Sequence, residues 1–230
     1  MKKLNIFFLN LFIIQSLLSQ EQKPEQQLYS FLDNTINNVN TKLSYGDVYK
    51  EKYIKKTKNN HNFFDSSTFK KGSIIYRNEV FYDVLLKYEI VDDYVIIKLS
   101  NLKQNLSIIP GKRFVESFQI DTISFINTKQ HGFLEVINSN KHFSIFRKHT
   151  KVRKDNNDNR FIHHTFKKKK DLYYILLKEQ AYIPVKSKRD FIKIYPTQKK
   201  VISKFYKTNK NLLKQNFKEF LIKLMITIHE

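Results

Sequence analysis

The chain has 230 residues, 41% of them apolar, with 42 Lys and Arg against 21 Asp and Glu, a formal net charge of +21 and no cysteine. That length and apolar content suffice for one sizeable core. The absence of thiols excludes disulfides, thiolate zinc sites, CxxC redox chemistry and a cysteine nucleophile. Lipid attachment at a leader cleavage site, which needs a cysteine, is excluded with them.

The N-terminus, MKKLNIFFLNLFIIQSLLSQEQ, has two lysines, an apolar run from Leu4 to Leu18 broken by Asn5, Asn10, Gln15 and Ser16, then small and polar residues. This is the layout of a secretory signal peptide over residues 1 to 19, cleaved near Ser19 or Gln20. The run is shorter than the ~20 apolar residues that span a bilayer. The expected location is therefore periplasmic or extracellular, and loss of Lys2 and Lys3 with the leader lowers the charge from +21 to +19. A field of that size attracts polyanions. Outside the cytoplasm these are lipopolysaccharide, acidic glycans or the anionic membrane surface, and nucleic acid is not expected. The lysines are nevertheless spread over the whole chain, and a single alanine (Ala181) with four glycines is also what an AT-rich genome imposes on its codons.

Residues 20 to 70 form a polar segment in which Leu28, Leu32, Ile36 and Val39 recur at helical spacing, predicting a short helix near 25 to 42. The texture changes over residues 71 to 185. In FYDVLLKYEI the even positions Tyr82, Val84, Leu86, Tyr88 and Ile90 are apolar, with Asp83, Lys87 and Glu89 between them, which places the apolar set on one face of a strand. Asp92-Asp93 breaks the run and YVIIKLS follows, predicting a hairpin. NLSIIP, FVESFQI, ISFIN, GFLEVI, HFSIFRKHTKV, RFIHHTF, LYYILL and AYIPV continue the series. Short strands at about 8–12-residue intervals with no long helix among them predict an antiparallel barrel-like or sandwich domain, and argue against a parallel βαβ fold.

Over residues 186 to 230 the period becomes helical. Ser187 and Asp190 approximate a capping box, and Pro196-Thr197 open a second helix with Val201, Ile202, Phe205 and Tyr206 on one side. Leu213, Phe217, Phe220, Leu221, Leu224 and Ile228 make one stripe, expected to dock on the sheet. Peripheral membrane contact through the stripe is the other use of such a face. The fold class is thus α+β, the helices packing on the β-domain.

His163 and His164 are adjacent, so on a regular strand they point to opposite faces and cannot share a metal. His61, His131, His142, His149 and His229 fit no metal-binding spacing, and neither a metal nor a cofactor is expected. Lys167 to Lys170 separate two apolar runs and read as the charged turn of a hairpin pairing residues 160 to 167 with 171 to 178; a contact point for a polyanion is the functional alternative. In FRKHTKVRK a continuous strand would put Arg147, His149, Lys151 and Arg153 on one face. Arg147, Lys151 and Arg153 are the candidate ligand-binding residues, against the alternative of an edge strand protected by charge. GxSxG, HExxH and glycine-rich phosphate loops are absent. Asp83, Glu89, Asp92, Asp93, Glu116 and Glu135 are the carboxylates from which a glycosidase pair could be drawn.

One stretch, KKGSIIYRNEVFYDVLLKYEIVDDYVIIKL, resembles a family of exported proteins from Bacteroidota-type Gram-negative bacteria through Gly72, Ile74, Tyr76, Tyr82, Asp83, Val84, Leu86, Tyr88, Glu89 and Asp93. The similarity extends to Gly132, Phe133, Glu135 and Val136 and to Val185–Arg189 before the helices. Glu89 stands where Asp is usual, and KEQA where a glycine turn is expected. The resemblance implies export and a β-rich fold with a helical tail, and supplies no activity or catalytic residues. The expected function is that of a non-catalytic envelope binding or accessory protein, its ligand an anionic envelope polymer or a partner protein. The alternative is a hydrolase of envelope glycans working through paired carboxylates.

Overall fold

The computed structural model describes residues 42 to 230, apart from 56, 58, 101 to 104, 159 to 160 and 178 to 180. The expected leader and, Lys42 excepted, the helix expected near 25 to 42 lie outside the described residues. Eleven strands form one antiparallel sheet: β1 (Gly46–Val48), β2 (Lys70–Tyr76), β3 (Glu79–Glu89), β4 (Tyr94–Ser100), β5 (Asn105–Pro110), β6 (Val115–Ile120), β7 (Ile123–Thr128), β8 (Gly132–Ser139), β9 (Ser144–Lys148), β12 (Leu172–Leu176) and β13 (Ile183–Val185). Their order is β1-β5-β4-β3-β2-β6-β7-β8-β9-β12-β13. The remaining two, β10 (Lys151–Asp158) and β11 (Phe161–Lys168), pair with each other as a separate ribbon, which an isolated bridge at His164 joins to Lys55. Four short helices follow: α1 (Lys188–Ile194), α2 (Lys199–Thr208), α3 (Lys210–Gln215) and α4 (Phe217–His229). The fold is α+β. Among the described residues no helix is long and apolar enough to cross a membrane.

The sheet is strongly curled. β3 and β8 are four places apart in the strand order, which in a flat sheet at about 4.8 Å per strand means ~19 Å. Yet Tyr88 of β3 and Phe133 of β8 lie edge to face with ring centroids 5.8 Å apart. Phe118 of β6 and Phe125 of β7 join them at 5.3 Å and 5.2 Å from Tyr88, so the concave face is an aromatic core of barrel-like shape. Such ring pairs stabilise by ~0.5–1.5 kcal/mol each beyond the area they bury.

The period-two pattern of β3 holds from Val84 to Ile90 but not to Tyr82, which is only half-buried while Phe81 takes the interior place. The reason is a bulge. Gly72 pairs with Val84 but Ile74 with Phe81, leaving Tyr82 and Asp83 opposite one residue, and Asp83 has φ +53°. One residue in the left-handed region shifts every earlier side chain to the other face. The chain crosses from β2 to β3 by a two-residue turn in which Arg77 (φ +52°) and Asn78 (φ +63°) are both left-handed, as the twist of a tight hairpin demands.

The predicted hairpin through Lys167 to Lys170 does not form. β11 pairs along its whole length with β10, from Lys151 opposite Lys168 to Asp158 opposite Phe161. β12 pairs instead with β9 and β13. The presumed single strand FRKHTKVRK also breaks: β9 ends at Lys148 and the chain leaves the main sheet at His149 and Thr150. The ribbon is thus an excursion between two strands that are neighbours in the sheet, and its neck is closed by the Lys169 amide donating to the Thr150 carbonyl at 2.9 Å.

At the β13 end, Ile145, Tyr173, Ile175 and Val185 pack against Phe191, Ile202, Phe220, Leu221, Leu224 and Met225. This is where the apolar stripe goes. It is not one helix: Asn216 separates α3 from α4 and its side chain accepts the Glu219 amide at 3.1 Å, capping α4. α1 begins as its sequence implies, Asp190 accepting the Ser187 amide at 2.8 Å.

Gly72 lies against β6 so closely that a Cβ there would stand 1.9 Å from the Gln119 carbonyl oxygen. Replacing Gly72 by Ala should lower stability by about 1–3 kcal/mol, the usual cost of overpacking. Asp83→Gly, which removes a left-handed non-glycine residue, should be neutral or stabilising. Urea unfolding of the two variants checks the bulge directly.

Candidate functional site

The three cations singled out in the sequence occupy three different environments. Arg147, on β9, faces its cross-strand partner Glu135 on β8. Its Nε donates to Glu135 Oε2 at 2.7 Å, and Nη2 reaches the same oxygen at 2.6 Å. Lys151, the first residue of β10, is half-buried and donates to the carbonyls of His61 (2.7 Å) and Phe63 (2.8 Å). Arg153 is exposed, paired with Asp155 at 2.8 Å and stacked over the Tyr53 ring at 5.3 Å. Because the strand breaks after Lys148, the three do not form the continuous cationic row that a single strand would give.

Arg147 belongs to a buried charge cluster that no local pattern announces. Glu135 is 2% exposed and its Oε2 also meets Nε2 of His149 at 2.5 Å. Lys218, from α4, lies 3.5 Å from Oε1. On the far side of His149, Nδ1 is 3.6 Å from Asp171 Oδ1, and Arg147 Nη1 is 3.8 Å from Asp171 Oδ2. β8, β9, the segment before β12 and α4 thus converge on two carboxylates and three basic groups. Burial pushes the Glu135 carboxyl up, but the His149 hydrogen bond and the charge and hydrogen bonds of Arg147 outweigh it and hold the group below its ordinary range. Asp171 is likewise pushed up by burial and brought below its ordinary range by His149, Lys168 and Arg147.

A second cluster is centred on Asp93, in the β3–β4 turn. It accepts from the Tyr88 hydroxyl (2.5 Å) and from Lys112 (2.5 Å) and Lys148 (2.6 Å). A Cβ on residue 132 would stand 1.8 Å from Asp93 Oδ2, so only glycine admits the carboxylate there, and Gly132 also has φ +66°. Burial raises the Asp93 carboxyl, and Lys148, Lys112 and Tyr88 together bring it below its ordinary value. Glu89 is fully buried and differs. Burial raises its pKa, only partly offset by hydrogen bonds from the amides of Asp92 (2.6 Å) and Val91 (3.1 Å) and from Asn62 (2.9 Å). All four carboxylates, Glu89, Asp93, Glu135 and Asp171, are bound up with protein groups. Among the described residues, no three or more His, Asp or Glu side chains gather as metal ligands. His163 is buried, and His164 pairs with Asp155 at 3.0 Å.

The open cationic surface lies at the base of the ribbon. A depression of about 820 Å³ is lined by Val152, Arg153, Lys154, Lys167, Lys168 and Lys169, with Asn60 and Phe166 at its floor. Strand pairing brings these together: Val152 lies opposite Lys167 and Arg153 opposite Phe166. Among the described residues no carboxylate lines the depression, and Lys154, Lys167 and Lys169 make no ion pair. Lys168 approaches Asp171 at 3.8 Å. The lysine run was legible in the sequence as a charged, solvated stretch; its partnership with Lys154 and Val152 depends on the β10–β11 register.

Compared with known protein families, with curated proteins and with solved structures, the chain matches none.

Glu135→Gln keeps the shape of the buried cluster and removes the charge that Arg147, His149 and Lys218 share. Breaking a buried ion pair from one side costs about 3–5 kcal/mol, and the variant should lose stability on that scale at pH 7. The pH dependence has a definite sign. Groups whose folded pKa is depressed, here Asp93, Glu135 and Asp171, contribute stability above their unfolded pKa and lose it as pH falls through the folded value. Glu89, whose pKa is raised, acts oppositely: it costs stability as pH rises from its ordinary value of 4.5 through the raised one. The melting temperature of the parent should fall from about pH 4 downward. Glu135→Gln should show a shallower fall, and equal slopes in the two proteins would deny Glu135 its part in the ion pair.

Proposed function

We propose that this is a non-catalytic binding or accessory protein of the cell envelope, exported by its leader, that holds an anionic envelope polymer on the ribbon formed by β10 and β11. The observation carrying the reading is the depression at the ribbon's base, where Arg153, Lys154, Lys167, Lys168 and Lys169 converge with no carboxylate among the lining residues. The ribbon and its neck, residues 151 to 170, hold eight Lys and Arg against two Asp. A concave surface of one sign concentrates field and attracts polyanions. Lysines suit this task as mobile point charges on long stems, tolerant of irregular spacing along a polymer.

The assignment of roles among the three initial candidates follows from their surroundings. Arg153 lines the depression and is retained as a ligand residue. Arg147 and Lys151 are retained as supports of the scaffold, holding Glu135 and the 61–63 backbone respectively. The hydrolase alternative finds less support. A general acid must reach a substrate, and Glu89 and Glu135 are 0% and 2% exposed.

Binding of purified lipopolysaccharide or dextran sulfate to the mature protein should weaken steadily with salt, since exposed charges are screened over about 8 Å at physiological ionic strength. The triple variant Lys154→Gln, Lys167→Gln, Lys169→Gln should bind at least tenfold more weakly at low salt and melt within a few degrees of the parent, because exposed charges contribute little to folding. Unchanged binding in that variant would overturn the reading. Export has a separate readout: protein recovered from periplasm or medium should begin near Gln20 by mass spectrometry, and recovery with Met1 still attached would contradict it.

A further inference from the structure

Beside the cationic depression lies a second cavity of different character. It measures about 250 Å³ and is walled by Leu172, Tyr173, Val185 and Phe217, with Asp171 and Lys186 at its margin. Tyr173 and Phe217 meet edge to face at 4.9 Å in its wall, joining β12 to the start of α4. Whole small ligands occupy pockets of roughly 300–1,000 Å³, so this one has room for an apolar end and not for a complete molecule. The linings of the two concavities are neighbours. Lys168 lines the larger, Asp171 lines the smaller, and their side chains are 3.8 Å apart. Lys169 belongs to the first and Lys170 to the second, so the lysine run passes from one lining to the other. The negative charge of Asp171 does not oppose an anion here, because Arg147, His149 and Lys168 already surround it.

A cationic depression joined through one ion pair to a small apolar cavity matches a ligand with the same two parts. We propose that the site takes a phosphate-bearing lipid, its anionic headgroup on Lys154, Lys167, Lys168 and Lys169 and one acyl chain in the small cavity against Tyr173, Val185 and Phe217. The inference rests on the polyanion reading for its headgroup half and adds the apolar half. Charge complementarity sets the headgroup: no carboxylate is among the residues lining the larger depression, and among the described residues its Lys154, Lys167 and Lys169 make no ion pair. Burial of apolar surface sets the chain, since each methylene removed from water contributes about 0.8 kcal/mol and the walls formed by Tyr173, Val185 and Phe217 are side chains of the sheet–helix core.

The test uses 1-octanoyl-glycerol 3-phosphate, below its micellar concentration, against glycerol 3-phosphate and monooctanoylglycerol, each titrated into the mature protein. The octanoyl phosphate should bind at least tenfold more tightly than either. A photoreactive diazirine at its chain end should crosslink to Leu172, Tyr173, Val185 or Phe217. The variant Lys167→Gln, Lys169→Gln should lose affinity for the octanoyl phosphate while keeping the crosslinking positions at saturating probe. If dextran sulfate binds in a lysine-dependent way but the acyl chain adds nothing, or crosslinks fall elsewhere, the lipid inference fails and the polymer reading survives. If neither polymer nor octanoyl phosphate binds, both fail. Competition by phosphatidylglycerol vesicles would assign the source to a bilayer lipid, and absence of competition to a free single-chain lipid.

Discussion

The curl of the sheet depends on one carboxylate. Asp93 stands at the turn after β3 and receives Tyr88 from its own strand, Lys112 from the turn before β6 and Lys148 from the end of β9. In a flat sheet β3 and β9 would be five strands apart, so these bonds exist only because the sheet folds over its aromatic core. Packing of Tyr88, Phe118, Phe125 and Phe133 supplies the driving force, and Asp93 supplies direction, because a half-buried charge held by three partners tolerates few arrangements of them. Gly132 is part of the same constraint: any side chain there would occupy the space of the Asp93 carboxylate.

The Glu135 cluster does for the other end of the molecule what Asp93 does for the curl. It joins β8 and β9 to α4 through Arg147, His149 and Lys218. It also stands where the chain leaves the sheet. His149 is the first residue beyond β9, and its attachment to Glu135 fixes the point from which the ribbon departs. Asp171 stands where the chain returns, so the two ends of the excursion are held by the same group of charges. The ribbon itself rests on the segment before β2, through Tyr53 against Phe166 and the amide of His164 donating to the Ile54 carbonyl at 2.7 Å.

This arrangement separates structural cations from available ones. Arg147, Lys148 and Lys151 are drawn inward, each meeting a carboxylate or backbone carbonyls. Lys154, Lys167 and Lys169 are left on the surface without a counter-ion among the described residues. A count of charges treats both sets alike. Their difference is one of solvation: the inner set has exchanged water for fixed partners, whereas the outer set remains hydrated and free to exchange water for a ligand.

What the sequence by itself determined is what a few consecutive residues can encode. The period of two in FYDVLLKYEI and the short β-branched or aromatic runs YVIIKLS, FVESFQI and LYYILL made strands, the change of period after Val185 made helices, and Ser187 with Asp190 marked where the first helix starts. Those signals are local because side-chain direction alternates over one residue in a strand and over three or four in a helix. Tertiary structure decided the rest. The left-handed Asp83 exchanged Tyr82 for Phe81 in the core, a backbone choice made to fit β3 against β2. The pairing of β12 with β9 across the inserted ribbon turned an expected hairpin at the lysine run into the neck of an excursion. Arg147 became a buried partner of Glu135, twelve residues away, and not a surface cation. In each case the outcome turns on which distant residue arrives within a few ångströms, and Coulomb attraction, packing and hydrogen bonding act over those distances without leaving a periodic trace along the chain.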